Sequence, residues 1–93
     1  MALSREMVVQ CRYLHLPVAN APLCHLRLLV DGQPVRGLDI ELARHEPDFW
    51  VFADLAPFQG QTLTVIADGN DLPASLLAPL TQKNDLPRAD ILY

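Results

Sequence analysis

The chain has few basic side chains and no cluster of them. Seven Lys and Arg residues against eleven Asp and Glu residues give a formal net charge of −4 over 93 residues. Nucleic acids and anionic membranes both bind proteins through a basic face, so the sequence disfavours both as partners. No apolar run approaches the ~20 residues of a membrane-spanning helix. Residues 1–5 are too short and too polar for a signal peptide, which leaves the localisation open between a cytosolic parent protein and an exported one whose signal has been removed.

Glycine and cysteine are also scarce, and this bears on cofactors and metals. None of the four glycines lies in a GxGxxG or Walker pattern, so no phosphate-binding loop and no cofactor are predicted. Cys11 and Cys24 lack the spacing of a metal motif, as do His15, His25 and His45, so no metal site is predicted. The cysteines fall on strands predicted to be neighbours, which would allow a disulfide, but free buried thiols are the favoured interpretation.

The sequence contains no recognisable catalytic constellation. Ser4 and Ser75 lack the strained turn of a nucleophile, and neither cysteine has an activating neighbour. Glu46, Asp48 and Asp54 surround an aromatic strand, and paired carboxylates cut glycosidic bonds in many enzymes. However, six residues of extended chain would separate Asp48 from Asp54 by about 20 Å, whereas glycosidases need roughly 5–9.5 Å between carboxyl groups. Turn and strand-end carboxylates that accept backbone N–H groups are therefore the better interpretation, and no catalytic residue is predicted.

The composition is that of one small folded domain. Hydrophobic residues make up 51% of the chain and charged residues 19%, which argues against disorder. A domain of this size has much surface and little interior, since it buries roughly 60–65% of the surface of its unfolded chain. The high apolar share therefore suggests that part of the surface is covered by another domain or subunit.

An aromatic stretch, EPDFWVFADL at residues 46–55, holds the only Trp and two of the three Phe. Its β-branched and aromatic residues behind a proline predict a strand, and its two apolar faces favour a central strand covered on both sides. Trp50 could also stack on a sugar ring, but a single Trp in an apolar run favours a core position.

Period-two alternation and turn residues predict four other strands. The first covers residues 5–18, and Pro17, which lacks an N–H group for the sheet, is the residue predicted to end it. Residues 23–31 and 35–43 form a hairpin around Asp31-Gly32, with Cys24, Leu26, Leu28 and Val30 on one face. A connection with one helical turn over residues 56–60 leads to a strand over residues 62–68. Residues 73–80 are predicted to hold one or two helical turns.

These elements predict an all-β fold, a small antiparallel β-sandwich with a short helical turn near the C-terminus. The predicted sandwich occupies residues 1–80. Residues 81–93 are predicted to be an extended tail.

Five segments carry a resemblance to a known family: YLHLPVAN (13–20), LVDGQPVR (29–36), DIELA (39–43), EPDFWVF (46–52) and FQGQ (58–61). In order and spacing, the chain resembles the small N-terminal β-domain that precedes the catalytic domain in some bacterial members of glycoside hydrolase family 32. That family includes levanases, fructanases, invertases and sucrose-6-phosphate hydrolases. The resemblance covers nearly the whole chain.

The resemblance implies a non-catalytic accessory domain that docks on the catalytic propeller and shapes substrate access. Residues 81–93 would then connect it to that propeller. The family's catalytic nucleophile lies in an Asn-Asp-Pro-Asn block that this chain lacks, so no catalytic residue carries over. Two alternatives stay open: an autonomous carbohydrate-binding module for fructan or sucrose, and a protein-interaction β-domain that uses an open sheet edge or an apolar patch. The residues predicted to contact sugar or the propeller are Trp50, Tyr13, His45, Glu46 and Asp48.

Overall fold

The computed structural model describes residues 2–86 and confirms the all-β sandwich. Two antiparallel sheets enclose one apolar core. Sheet A has the strand order β1-β6-β3-β4 and sheet B the order β5-β2-β7. The strands are β1 (Ala2–Val8), β2 (Tyr13–Val18), β3 (Cys24–Val30), β4 (Gln33–Ile40), β5 (Phe49–Asp54), β6 (Thr62–Asp68) and β7 (Thr81–Lys83), and a 3₁₀ turn covers Ala56–Phe58.

The core forms where the period-two pattern is most regular. The residues of β3 and β6 that point inward are almost completely buried, as are Leu14 and Leu16 of β2, which face them from sheet B. Burying one such aliphatic side chain stabilises the fold by about 1.5–3 kcal/mol relative to leaving it in water. The predicted inward face of the second strand is thus confirmed. The inward residues of sheet A include Leu26, Leu28, Leu63, Val65 and Ala67.

The predicted hairpin between the second and third strands is confirmed as β3–β4. Asp31 and Gly32 both have positive φ, 49° and 83°, which is the conformation of a two-residue type I′ turn. Val30 therefore pairs with Gln33, and β4 starts two residues earlier than the predicted strand and ends at Ile40. The predicted strand over residues 62–68 is confirmed as β6, and the predicted helical turn is the 3₁₀ turn Ala56–Phe58.

The prediction of one strand over residues 5–18 was wrong. The chain changes sheets after Val8: β1 pairs with β6, and β2 pairs with β5 and β7. Val9 is 1% exposed and holds the crossing in place, because its N–H donates to the Gln61 carbonyl and its carbonyl accepts from the Gly60 N–H. Pro17 does not end the strand either. It lies inside β2 opposite Trp50, and its carbonyl accepts from Ala43 N–H on the other side of β2.

The aromatic stretch was correctly predicted as a strand, but its central position was wrong. β5 is an edge strand of sheet B, because β2 is its one strand neighbour in the described part of the chain. Trp50 is half-buried and Phe52 is 43% exposed, so the outer side of this strand is not covered as expected. Apolar residues therefore occupy both faces of β5, the inward face that packs on the core and the outward face that is partly exposed.

The C-terminal part adds a strand that the sequence did not predict. Residues 73–80 coil through three turns, each closed by an N–H that donates to the carbonyl three residues earlier, at Leu76, Ala78 and Leu80. Thr81–Lys83 then pairs with β2 as strand β7, where an extended tail was predicted. The sandwich therefore continues to at least Lys83. The rest of the predicted connector, from residue 87 onward, lies outside the described residues.

Candidate functional site

The outward side of sheet B carries an aromatic face, defined here as Tyr13, His15, Trp50 and Phe52. Since Leu14 and Leu16 point into the core, Tyr13 and His15 point outward, and residues directly opposite on β5 share their side. Phe52 lies opposite His15, and its ring meets Tyr13 edge to face with centroids 5.2 Å apart. Such a pair contributes about 0.5–1.5 kcal/mol beyond burial.

His15 is 5% exposed although it points away from the core. The chain after β7 covers it: His15 Nε2 lies 2.6 Å from the carbonyl oxygen of Asp85, which places a donating N–H on that nitrogen. The Trp50 ring lies on the other side, with centroids 6.4 Å apart. Asn84 fixes the same segment, because its Oδ1 accepts the backbone N–H of Arg12. The aromatic face is thus partly covered at His15 and open at Phe52.

The outward side of sheet A is different in character. His25 Nδ1 lies 3.0 Å from Asp39 Oδ1, and Arg27 donates to Asp68 at 3.2 Å, all on exposed side chains. Exposed pairs of this kind contribute at most about 1 kcal/mol and are well hydrated. Sheet A therefore presents a polar surface to solvent, and sheet B presents an aromatic one.

An apolar groove opens between the edge strands of the two sheets. It lies between β4 and β5, has a volume of about 530 Å³, and is called the edge groove below. Its walls include inward residues of β4 and β5, two residues of β2 and the outward residue Phe52, and Leu23, 63% exposed, stands at its rim. The main apolar lining residues are Leu16, Val18, Leu38, Ile40, Val51 and Ala53.

The opposite side of the sandwich is closed by hydrogen bonds. Gln82 of β7 donates to the Val8 carbonyl at 2.8 Å and thereby joins β7 to β1. Arg5 of β1 reaches the turns of residues 73–80, where its Nη1 donates to the carbonyls of Leu77 and Leu80 at 2.9 and 2.8 Å. The two sheets are therefore fastened along β1 and β7. On the other side, Leu42 just beyond the end of β4 bridges to Val18 of β2, and the edge groove opens between β4 and β5.

The predicted contact residues divide between two places. His45, Glu46 and Asp48 line one polar loop pocket of about 320 Å³, together with Asn20 and Arg44. Tyr13 and Trp50 do not line that pocket, because they lie on the aromatic face. Trp50 is half-buried there, so it is neither the core residue that the sequence favoured nor a fully open platform for a sugar ring.

The cysteines and histidines form no chemical centre in residues 2–86. Both cysteines are free, as predicted, with Cys24 buried and Cys11 half-buried. Burial raises the pKa of the Cys24 thiol, with Asp39 adding to the rise, while a backbone hydrogen bond with Leu42 and the charge of Arg44 oppose it. The thiol is therefore protonated at neutral pH. No group of three potential metal ligands occurs in this range.

Sequence reasoning missed the edge groove. The alternation places Leu23 in a predicted strand but gives no sign that it stands at the rim of a groove. A signal was present in the stretch at residues 49–53, where both parities are apolar. Such a stretch is typical of a central strand that is covered on both faces. It is equally compatible with an edge strand whose outer face is covered by a binding partner.

Comparisons with protein-family models, with curated proteins and with solved structures returned no match. A search of the described residues for a helix long and apolar enough to span a membrane also found none.

Proposed function

We propose that this chain is a non-catalytic β-sandwich module that docks on another protein domain. The observation that carries the proposal is the coincidence of the aromatic face and the edge groove at one strand, β5. Phe52 belongs to the aromatic face and also lines the groove, and it is 43% exposed. Contiguous apolar surface of this kind marks interaction sites in soluble proteins.

The distribution of exposed apolar side chains supports docking through this side. Leu23 and Phe52, both more than 40% exposed, line the edge groove, and Val35 lies on β4, which forms its wall. Leu86, also exposed, directly follows Asp85, which contacts His15 on the aromatic face. Val8 is the exception, since β1 is the far edge of sheet A.

The proposal becomes more specific through the sequence resemblance. We propose that the docking partner is the catalytic propeller of a fructan- or sucrose-cleaving hydrolase of glycoside hydrolase family 32. What supports this step is the resemblance in residues 13–61, together with an aromatic and apolar side that suits burial against a second domain.

The test uses an antibody raised against the chain. The proteins it precipitates from source cells are assayed for fructose release from sucrose, levan and inulin, and the purified chain is assayed in parallel. We expect release by the precipitate and none by the chain. Hydrolysis by the purified chain would overturn the non-catalytic assignment. A native antigen that sediments as a free 10.4 kDa monomer would overturn docking itself.

The polar loop pocket supports a second candidate, carbohydrate binding. It collects His45, Glu46 and Asp48 beside Asn20, and such side chains hydrogen-bond sugar hydroxyls. Affinity electrophoresis in gels containing levan or inulin tests it. Retardation that is lost in Glu46→Gln and Asp48→Asn would favour this function, whereas unchanged mobility in both gels would exclude it for these sugars.

A further inference from the structure

We propose that the edge groove takes an extended strand from the partner, one with apolar side chains in its centre and basic residues at its ends. The strand would add to sheet B beside β5 and lay alternate side chains into the groove. This inference rests on the proposed docking function and names the kind of segment that docks.

The backbone of β5 has a side that can receive a strand. Pro17 has no N–H, and its carbonyl accepts from Ala43, so Pro17 and Trp50 form a pair without hydrogen bonds between them. The N–H and C=O groups of Trp50 therefore point away from β2, as do those of Phe52 two residues later. Within the described chain, sheet B has no further strand on this side.

The side chains around the groove suit alternate apolar residues of an added strand. Such a strand would lie between β5 and the facing β4, with every second side chain pointing inward. Those side chains would contact Leu38 and Val51, both half-buried, and the exposed rim residue Leu23. Main-chain hydrogen bonds would supply affinity, and the groove would supply selectivity for apolar residues.

The charged residues around the edge groove determine which side chains a docking strand should carry at its ends. β5 is flanked by Asp48 at its start and terminated by Asp54, both exposed. The facing wall contributes two carboxylates, Asp39 and Glu41, beside the cation Arg36. A docking strand with Lys or Arg near its ends would complement this acidic border, whereas an acidic segment would be repelled.

The same charges disfavour one pairing of two copies of this chain, the one that centres on Val51. Antiparallel pairing of two β5 strands centred on Val51 would place Trp50 opposite Phe52 of the other copy, which is favourable. It would also place Asp48 of each copy opposite Asp54 of the other, at both ends. Like charges directly opposite each other destabilise a strand pair.

The experiment uses the full chain and a synthetic peptide of about ten residues, the length of a long strand. Valine alternates with threonine in its centre, and lysines stand at both ends. Two control peptides replace the lysines by glutamate or place prolines in the centre. We expect calorimetric binding of the lysine peptide alone, weakened at least about fivefold when the ionic strength rises from about 0.1 M to 1 M.

Substitutions in the chain locate the binding. Leu23→Lys and Glu41→Lys should each weaken peptide binding about fivefold, as the loss of a cross-strand contact or charge pair implies. The matched changes Val8→Lys and Glu6→Lys, on the far edge strand β1, should leave it unchanged. All four side chains are partly or largely exposed, so the variants should fold.

Amide hydrogen exchange reports the binding mode. The backbone N–H groups of Trp50 and Phe52 should exchange at least about tenfold more slowly with the peptide bound. Absence of binding up to about 1 mM peptide would overturn the inference. So would equal binding of the glutamate or proline peptide, or a concentration-dependent dimer in sedimentation equilibrium, which would assign the groove to a second copy.

Failure of the docking function would be seen separately. If the chain belongs to a larger assembly in source cells but shows none of these peptide effects, the proposed docking function stands and the proposed strand addition is refuted. If the chain is a free monomer in source cells, the proposed docking function is refuted, whether or not the peptide binds.

Discussion

Gln82 in β7 and the Val8 carbonyl in β1 are joined by a hydrogen bond of 2.8 Å that connects the two sheets along one side of the sandwich. The Oε1 of the same amide accepts the backbone N–H groups of Gln10 and Cys11, at 2.8 and 3.1 Å. One side chain thus satisfies three backbone groups where the chain passes from sheet A to sheet B.

Gln82→Ala should therefore lower the free energy of unfolding by about 0.5–1.5 kcal/mol, because it removes three hydrogen bonds to the backbone, of which the one to the Cys11 N–H is partly buried. Urea unfolding followed by Trp50 fluorescence measures the change. Lys83→Ala, in the same strand but with an exposed side chain, is the control and should cost less than about 0.5 kcal/mol. Equal losses in both variants would contradict this role of Gln82.

Arg5 orders the turns of residues 73–80 through one nitrogen. Its Nη1 donates to the carbonyls of Leu77, Ala78 and Leu80 at 2.9, 3.2 and 2.8 Å. Arg5→Lys keeps the charge but not the geometry of the guanidinium group, and we expect it to cost about 1–2 kcal/mol.

Hydrogen exchange at Leu76 and Leu80 distinguishes this from a general loss of stability. Both amides should exchange faster in Arg5→Lys than in an equally destabilised Gln82→Ala protein. Arg36→Lys, on exposed strand β4, should change neither stability nor exchange in these turns.

Two glycines of one hairpin allow a matched test of backbone strain. Gly32 has φ of 83° in the turn, and a methyl group added to its Cα would meet no other atom within 4 Å. Gly32→Ala should therefore lower the free energy of unfolding only by the cost of a left-handed backbone conformation, about 1–2 kcal/mol. Gly37 has no positive φ, and an added Cβ would meet the His25 ring at an ordinary contact distance of 3.6 Å.

Gly37→Ala should therefore be close to neutral or slightly stabilising, since it reduces the conformational freedom of the unfolded chain. Thermal unfolding of the two variants side by side measures the difference. If Gly37→Ala is the more damaging change, the turn is not the strained part of the hairpin.

The buried thiol of Cys24 gives the stability a dependence on alkaline pH. Burial raises its pKa in the folded protein above the value in the unfolded chain, which is about 8.5. Above that pH the unfolded chain loses the proton and the folded protein keeps it. Folding then binds a proton, and stability falls as the pH rises.

We expect the free energy of unfolding to decline above about pH 8.5, and the decline to be smaller in Cys24→Ala than in the wild type. A thiol reagent at about pH 8, just below the ordinary thiol pKa, should modify Cys11 readily and Cys24 only on unfolding. Equal reaction rates of the two thiols would refute the burial of Cys24.

The parts of the fold that could be predicted are those whose information is local. The β3–β4 hairpin combines a strict alternation from Cys24 to Val30 with a turn, Asp31-Gly32, that only a few residue pairs can form. The strand at residues 62–68 likewise has regular alternation. The strand at residues 62–68 has the predicted bounds, and the hairpin has its predicted turn, although β4 begins two residues earlier than predicted and ends at Ile40.

The parts that were missed depend on distant residues. The apolar residues run without interruption through Val8 and Val9, so nothing local marks the change of sheet; contacts with Gly60 and Gln61 fix it. The strand β7 consists of three polar residues whose strand character comes from their pairing with β2. The candidate site shows the same division: Glu46 and Asp48 line one pocket because they are close in the sequence, whereas the edge groove needs residues of both sheets.

The fastening of β7 to β1 also governs how the chain can fold during synthesis. Gln82 and Val8 are 74 residues apart, and His15 meets the carbonyl of a residue 70 positions later. Sheet B cannot be completed until Lys83, the last residue of β7, has left the ribosome, and the closure of such long loops slows folding. Until then the aromatic residues of β5 lack part of their cover, so a nascent chain stalled before residue 81 would be a target for chaperones that bind apolar segments.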